Sequence, residues 1–389
     1  MEQPTVDSGR GPLSGVRVAD FSRVLAGPYA TMMLADFGAD VIKIESRDGD
    51  ETRGWLPPVD AAGDSTYFGS VNRNKRAVVC DFTTDAGLAE ARRLAASADV
   101  VVQNFRPGVM ERFGLDEPTV RADNPGVVYC SITGFGDGAG AALAGYDLLV
   151  QAVGGLMSIT GSADGDPSKV GVALVDVLSG QNAFAGILLA LRSRDAGGPG
   201  QHVRVNLLSS LLAALTNQAA GTIATGVSPQ RLGNAHPSIA PYELFRAADR
   251  DLVIAVGNDR QFRTLLRLLD AAELAEDVRF TDNASRVAHR AELRAIIEGR
   301  LEAASAAHWV SVLSDAGVPA GLVNSIAEAL DFAAAIGLPT VVDIGDPARG
   351  RNGRFVANPI RLDATPPSYR SMPPRLGEHD GADWLPRQP

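Results

Sequence analysis

Asp176 has the sequence setting of a reactive carboxylate. It follows the apolar run Lys169–Val175 and precedes Ser179, Gly180 and a strongly apolar stretch through Leu191. That pattern reads as a buried strand ending and a helix beginning. An aspartate there either caps the helix or presents its carboxylate at the C-terminal edge of a sheet, and position alone leaves both readings open. The histidines, His202, His236, His289, His308 and His379, stand at no metal-ligand spacing, so no metal site is expected. No Gly-x-Ser-x-Gly elbow marks a serine nucleophile. Arg53, Lys75, Arg76, Arg106 and Arg112 fall near expected strand ends, where together they would offer cations to a polyphosphate.

The elements that must carry these residues alternate. Val16–Phe21 reads as a strand, Gly27 and Pro28 open a helix that Gly38 closes, and Ala39–Glu45 is a second strand. A second unit repeats the pattern with Ala77–Asp81, Asp85–Ala96 and Asp99–Asn104, and Val127–Ile132 adds a further strand. The expected fold class is therefore α/β, a doubly wound, Rossmann-like large domain with a smaller α+β domain. A nicotinamide cofactor is not expected. The first strand–helix turn, Ser22 to Pro28, holds a single glycine where a pyrophosphate cradle needs three. Gly134–Gly140 is glycine-rich but matches no phosphate loop, so it is either a plain connection or a ligand-contacting loop beyond a strand end.

Beyond Leu207–Ala220, another apolar helix, the texture changes. Tyr242–Val256 reads as a hairpin and helices follow at Arg260–Leu269, Ala291–Ala303 and His308–Ala316. The expected organisation is a large domain over 1–224, a small domain over 225–325, and a segment over 326–389 that returns to the large domain. Met1–Gly11 and Ala382–Pro389 read as loose tails. With 389 residues, 45% hydrophobic content and a net charge of −10, the chain is expected to bury a large core and to bind neither nucleic acid nor an anionic membrane. Cys80 and Cys130 lie in apolar runs and read as reduced core thiols. With no apolar stretch after the N-terminal charges, this gives a cytoplasmic expectation.

Several stretches together resemble the class III CoA-transferase family, of the CaiB/BaiF type, which includes formyl-CoA and carnitine CoA-transferases. They are Ala26-Gly27-Pro28, Gly38–Glu45, Thr52-Arg53-Gly54, Asn74-Lys75-Arg76, Asn104–Gly108, Gly134-Phe135-Gly136, Gly145-Tyr146-Asp147, Gly200-Gln201 and Leu376–His379, in order along nearly the whole chain. The resemblance implies that Asp176 is the nucleophile and that coenzyme A, as a substrate, meets Leu25, Ala26, Asn104, Phe105, Arg112 and Thr133, Gly134, Phe135 and Gly136. With the cation argument, Arg53, Lys75 and Arg106 join the expected contacts. It also implies a homodimer of interlocked chains. Racemases of 2-methylacyl-CoA share the fold but carry a histidine where Tyr146 stands here, and a phenol is a weak base at neutral pH. A CoA-ester-binding protein without turnover is the remaining alternative, and Asp176 argues against it.

The glycine-rich loop by which formyl-CoA transferases cover their aspartate has no equivalent here, which points away from oxalate. Arg231–Tyr242 instead looks like the pattern of members that take CoA from succinyl-CoA to another dicarboxylic acid, where Asn234 and His236 are either acceptor contacts or parts of a structural turn; Tyr146 is a further candidate substrate contact. The expected mechanism is attack by an Asp176 carboxylate already ionised at neutral pH, its ordinary pKa being about 3.9. The expected oxyanion donors are backbone N–H groups at the start of the following helix. Gly134–Gly140 and Asn234–Ile239 are the loops expected to shield the intermediate from water.

Overall fold

The structure is a computed structural model that describes residues 11–346 and 350–387. The chain divides into two compact units. The larger takes in the described residues up to Leu156, then Val170–Val227 and everything from Gly337; the smaller is Met157–Lys169 with Ser228–Ile336. The expected small domain ran over 225–325 and did not include 157–169. All but the last residue of the N-terminal tail expected over Met1–Gly11 lies outside the described residues.

The larger unit is built on a six-stranded parallel sheet of β1 (Arg17–Asp20), β2 (Asp40–Glu45), β3 (Lys75–Val79), β4 (Val100–Gln103), β5 (Val128–Thr133) and β6 (His202–Asn206). Their order is β3-β2-β1-β4-β5-β6. Chain direction of travel across the sheet therefore reverses between β1 and β4, and in such sheets ligands bind in the crevice beyond the strand ends at that point. Side chains alternate between two cores. Val18, Val41, Val100, Val102, Val128 and Cys130 face helices α1 (Ala26–Asp36) and α4 (Leu174–Asp195). Ala19, Ile42, Val101 and Tyr129 face α2 (Asp85–Ala96), which contributes Ala91 and Leu94. Between them in sequence, α3 (Asp147–Val153) follows the long loop after β5. Helix α4 is long and apolar enough by composition to cross a membrane, but its Val175, Ala183, Phe184, Ile187 and Leu191 are buried in the first core.

Two expectations are corrected here. Lys169–Val175 is not a strand: its end belongs to α4, which starts at Leu174, and Val172 is 61% exposed. The sixth strand is β6, and a short apolar run does not by itself distinguish strand from helix start. Nor are residues 382–387 loose, the last two residues of the expected tail lying outside the described residues. Trp384 is buried in the second core and its indole N–H donates to Ser97 Oγ at 2.8 Å. Just before it, the N–H groups of Ala77 and Val79 on edge strand β3 donate to His379 Nδ1 and Asp380 Oδ1, so the C-terminal segment covers an open sheet edge.

The smaller unit is an antiparallel sheet of β7 (Tyr242–Arg246), β8 (Asp251–Ala255) and β9 (Ala320–Leu322). Helices Asp259–Leu268, Arg290–Leu301 and Ala306–Asp315 pack on it through Phe262, Leu265, Ile297 and Leu313. Back in the larger unit, β10 (Val341–Asp346) and β11 (Arg351–Val356) pair antiparallel.

Candidate active site

Asp176 lies in the first turn of α4 with its side chain half-buried. Helix α4 crosses α1 at Gly180, where a Cβ would come within 2.6 Å of the Ala26 carbonyl, so only glycine lets the two helix starts approach this closely. The start of α4 is held by α3. Asp147 Oδ1 accepts the N–H groups of Val175 at 2.8 Å and Asp176 at 3.2 Å, and Asp147 Oδ2 accepts from Gln151 Nε2 at 2.5 Å. Gln151, itself fully buried, takes the Val170 N–H on its Oε1 at 2.9 Å. Asp147 thus caps α4 from another helix, and Asp176 does not cap it at all. Of the two readings of Asp176, the helix cap is excluded.

Burial, and after it the negative charge of Asp147, push the Asp176 pKa up to about 7. The expectation of an ordinary aspartate, ionised far below neutrality, is replaced by a carboxyl whose charged form is disfavoured by its surroundings. The same two carboxylates, after burial and together with Asp50, hold the Tyr67 phenol up at about 12. Tyr67 stacks edge-on against Trp55 at 4.9 Å between centroids.

Asp176 opens into a cleft at the carboxyl ends of β1, β4 and β5. Arg23, Val24, Leu25 and Ala26 line it from the β1–α1 turn, Asn104, Phe105, Arg106 and Pro107 from beyond β4, and Thr133, Gly134, Phe135 and Gly136 from beyond β5. Glu51, Leu143, Tyr146 and Asp147 also line it. The loop after β5 is anchored. A Cβ on Gly134 would meet the Gly145 Cα at 2.4 Å, so the two backbones cross with no room for a side chain. Phe105 is set by its N–H bond to Gln103 Oε1 at 2.8 Å, and Gln103 is itself fixed by Ser131. The Arg23 guanidinium lies over the Phe105 ring at 4.9 Å and pairs with Glu51 at 3.2 Å.

Of the residues expected to form the site, Leu25, Ala26, Asn104, Phe105, Arg106, Thr133, Gly134, Phe135, Gly136, Tyr146 and Asp176 come together in this cleft. Lys75 does not. Its ammonium is fully buried and donates to Asp20 Oδ2, the Pro28 carbonyl and Asn72 Oδ1, which uses all its protons. Burial, partly offset by Asp20, brings its pKa down to about 8. Arg53 is bound to both Glu45 oxygens and the Pro374 carbonyl, lies 3.7 Å over the Phe68 ring, and faces a separate hollow with Arg351 and Phe355. Arg112 is exposed, sits over Phe113 at 4.7 Å and is absent from the cleft wall. Proximity to a strand end does not say which way a cation points. Asn234 and His236 belong to the smaller unit, where the His236 Nδ1 accepts the Ser238 N–H at 3.1 Å and the ring meets Tyr242 edge-on. Sequence reading missed Arg23, Glu51, Tyr67 and the capping role of Asp147. Arg23 stands in the first strand–helix turn and was legible as a wall residue; Tyr67 lies in a short helix with no motif. Among the described residues no group of His, Cys, Asp and Glu is placed to hold a metal ion.

A doubly wound sheet, a cleft at its switch point and a half-buried carboxylate at a helix start define a class: α/β enzymes that act on a ligand lying across the strand ends. Within that class the sequence places this chain firmly. The profile of CoA-transferase family III matches residues 13–380, and the chain belongs to that family; it is a CoA-transferase, with acyl-CoA as a substrate. It is 44% identical to the succinate–glutarate CoA-transferase of Agrobacterium fabrum over 95% of this chain and 94% of that one. It is 38% identical to the acetyl-CoA:oxalate CoA-transferase of Acetobacter aceti, over 98% and 97%. Among solved structures, a CaiB/BaiF family protein from Brucella suis superposes with a TM-score of 0.86 at 41% identity, covering 95% of this chain and 97% of its own.

Proposed function

We propose that the enzyme moves CoA from succinyl-CoA or a similar donor to a dicarboxylic acid, with Asp176 as covalent nucleophile. The observation that carries this reading is the Asp176 carboxylate opening into the cleft at the switch point of the sheet. In its ionised form it attacks the donor thioester carbonyl, expelling CoA thiolate and forming a mixed anhydride. The thiolate then attacks the aspartyl carbonyl of that anhydride, releasing the donor acid and leaving an aspartyl-CoA thioester. The acceptor carboxylate reverses the two steps, so thioester energy is conserved and no nucleotide is spent. The Val175 and Asp176 N–H groups are occupied by Asp147 and are poor oxyanion donors. In α1 the N–H groups of Ala26 and Gly27 precede the first bond of the helix, which Tyr29 makes to the Leu25 carbonyl, and Leu25 and Ala26 line the cleft, which makes that turn the better source.

CoA is proposed to lie along Leu25, Ala26, Asn104, Phe105 and Thr133–Gly136, with Arg106 and Arg23 as the cations for its phosphates; Lys75, Arg53 and Arg112 leave the set. A homodimer is proposed on the exposed apolar side chains of the larger unit, among them Leu148 and Val153 on α3 and Leu189 on α4. The names of the two relatives support a dicarboxylate acceptor and place oxalate among the acids to be tried, despite the absence of the formyl-CoA-transferase loop. Succinyl-CoA turnover with glutarate, oxalate and monocarboxylic acids of matched length tests the reading. A dicarboxylate is expected to give the highest kcat/KM, and equal use of monocarboxylates would refute it.

A further inference from the structure

The β1–α1 turn, Ser22–Leu25, carries Arg23, Val24 and Leu25 into the cleft wall, and its backbone is held almost entirely by side chains from elsewhere. Asp20 Oδ1 accepts the Ser22 N–H at 3.0 Å, and Lys43 Nζ donates to the Ser22 carbonyl at 2.9 Å. The Asn104 amide pairs with both the N–H and the carbonyl of Arg23, at 2.8 and 2.7 Å. The Val24 N–H is shared between the two oxygens of Asp50, at 3.3 and 3.2 Å. Val24 has a φ of 66°. A β-branched residue in the left-handed region is a genuine outlier that persists only where its surroundings impose it, and such outliers gather at functional sites.

Asp50 and Lys43 are each 1% exposed and lie 2.9 Å apart. Asp50 also accepts from the Thr52 N–H at 3.0 Å and the Thr52 hydroxyl at 2.8 Å. Burial raises the cost of its charge, but the charge and hydrogen bond of Lys43 together with the two Thr52 donors hold the carboxyl below the ordinary range. A buried ion pair of this kind is a poor source of net stability, since desolvation offsets the attraction and apolar replacements often do as well. Neither residue lines the cleft, so neither belongs to the chemistry assigned above.

We propose that Asp50, held by Lys43, is a positioning residue that locks Val24 in its left-handed conformation and thereby fixes the start of α1 along the acyl-CoA cleft. Only the kinetic consequence rests on the proposed function. The Asp50→Asn variant is expected to speed amide hydrogen exchange in a peptide spanning Ser22–Ala26 by about tenfold or more while leaving peptides of β4 and β5 unchanged. The acyl-CoA KM should rise by roughly tenfold with a smaller fall in kcat, as a misplaced binding wall requires. Adding Val24→Gly to Asp50→Asn should recover most of the lost kcat/KM, because glycine adopts positive φ without steric cost. A merely structural pair would show no such rescue. Thr52→Val, which removes one donor from Asp50 and keeps the charge pair, should move both readouts in the same direction by less, and it decides the matter should Asp50→Asn not fold. Exchange unchanged at Ser22–Ala26, exchange faster throughout the chain, or no recovery on adding Val24→Gly would each overturn the proposal. Absence of turnover by the wild-type enzyme on any acyl-CoA would overturn the transferase reading instead, and the exchange data would still decide this one.

Discussion

In the proposed mechanism Asp176 is under opposed demands, since a nucleophile must be ionised while a site that protects a thioester from water must bury it. Burial and Asp147 together raise its pKa to about 7. The free enzyme therefore gains its reactive form as pH rises through neutrality, and kcat/KM should climb on an acidic limb near pH 7. Asp147 contributes by its charge but also by capping α4 through the Val175 and Asp176 N–H groups. Asp147→Asn keeps an oxygen for the cap and removes the charge. The repulsion falls, the Asp176 pKa falls with it, and the limb should move to lower pH, though not to an ordinary aspartate value because burial is the larger cause. A pH profile of kcat/KM for the two enzymes checks this; a limb that stays in place or moves upward would contradict it.

At the scale of elements, the strands from β1 to β5 were legible because β-branched runs alternate with helical stretches, and both the turn after β1 and the glycine loop after β5 could be placed at strand ends for the same reason. What hid was direction. Lys75 begins β3 and Arg53 lies in a short 3-10 helix, Glu51–Gly54, both plausible places for cations to meet a phosphate, yet Lys75 turns inward to Asp20 and Arg53 to Glu45. The run before Asp176 was misread as a strand because seven residues are too few for a period to separate strand from helix start. β6 was missed because His202–Asn206 alternates polar and apolar residues at the sheet's edge. Asp176 was singled out by its place before an apolar helix, and it lines the cleft although the element preceding it is not a strand. The buried tryptophan near the C-terminus could not be separated from a loose tail, since a lone Trp384 among Pro, Gly and Asp carries no periodicity.

At the scale of the whole molecule, the proposed homodimer has apolar surface of the larger unit to bury. Exposed Leu148, Val153 and Leu189 lie on helices of the larger unit, and burying them between two chains would remove apolar surface at about 25 cal/mol per Å². Sedimentation equilibrium at micromolar concentration should find a dimer that persists on dilution, and a monomer would refute that part of the account. The covalent route is tested most directly on the mass of the intact chain. Incubation with succinyl-CoA and no acceptor should leave a fraction of chains heavier by one CoA, released by hydroxylamine as a hydroxamate that maps to Asp176. Asp176→Asn should show no adduct and lose several orders of magnitude in turnover, because an amide keeps the shape of the site and not its nucleophile. An adduct mapping to Asp147, or transfer largely retained by Asp176→Asn, would contradict the assignment.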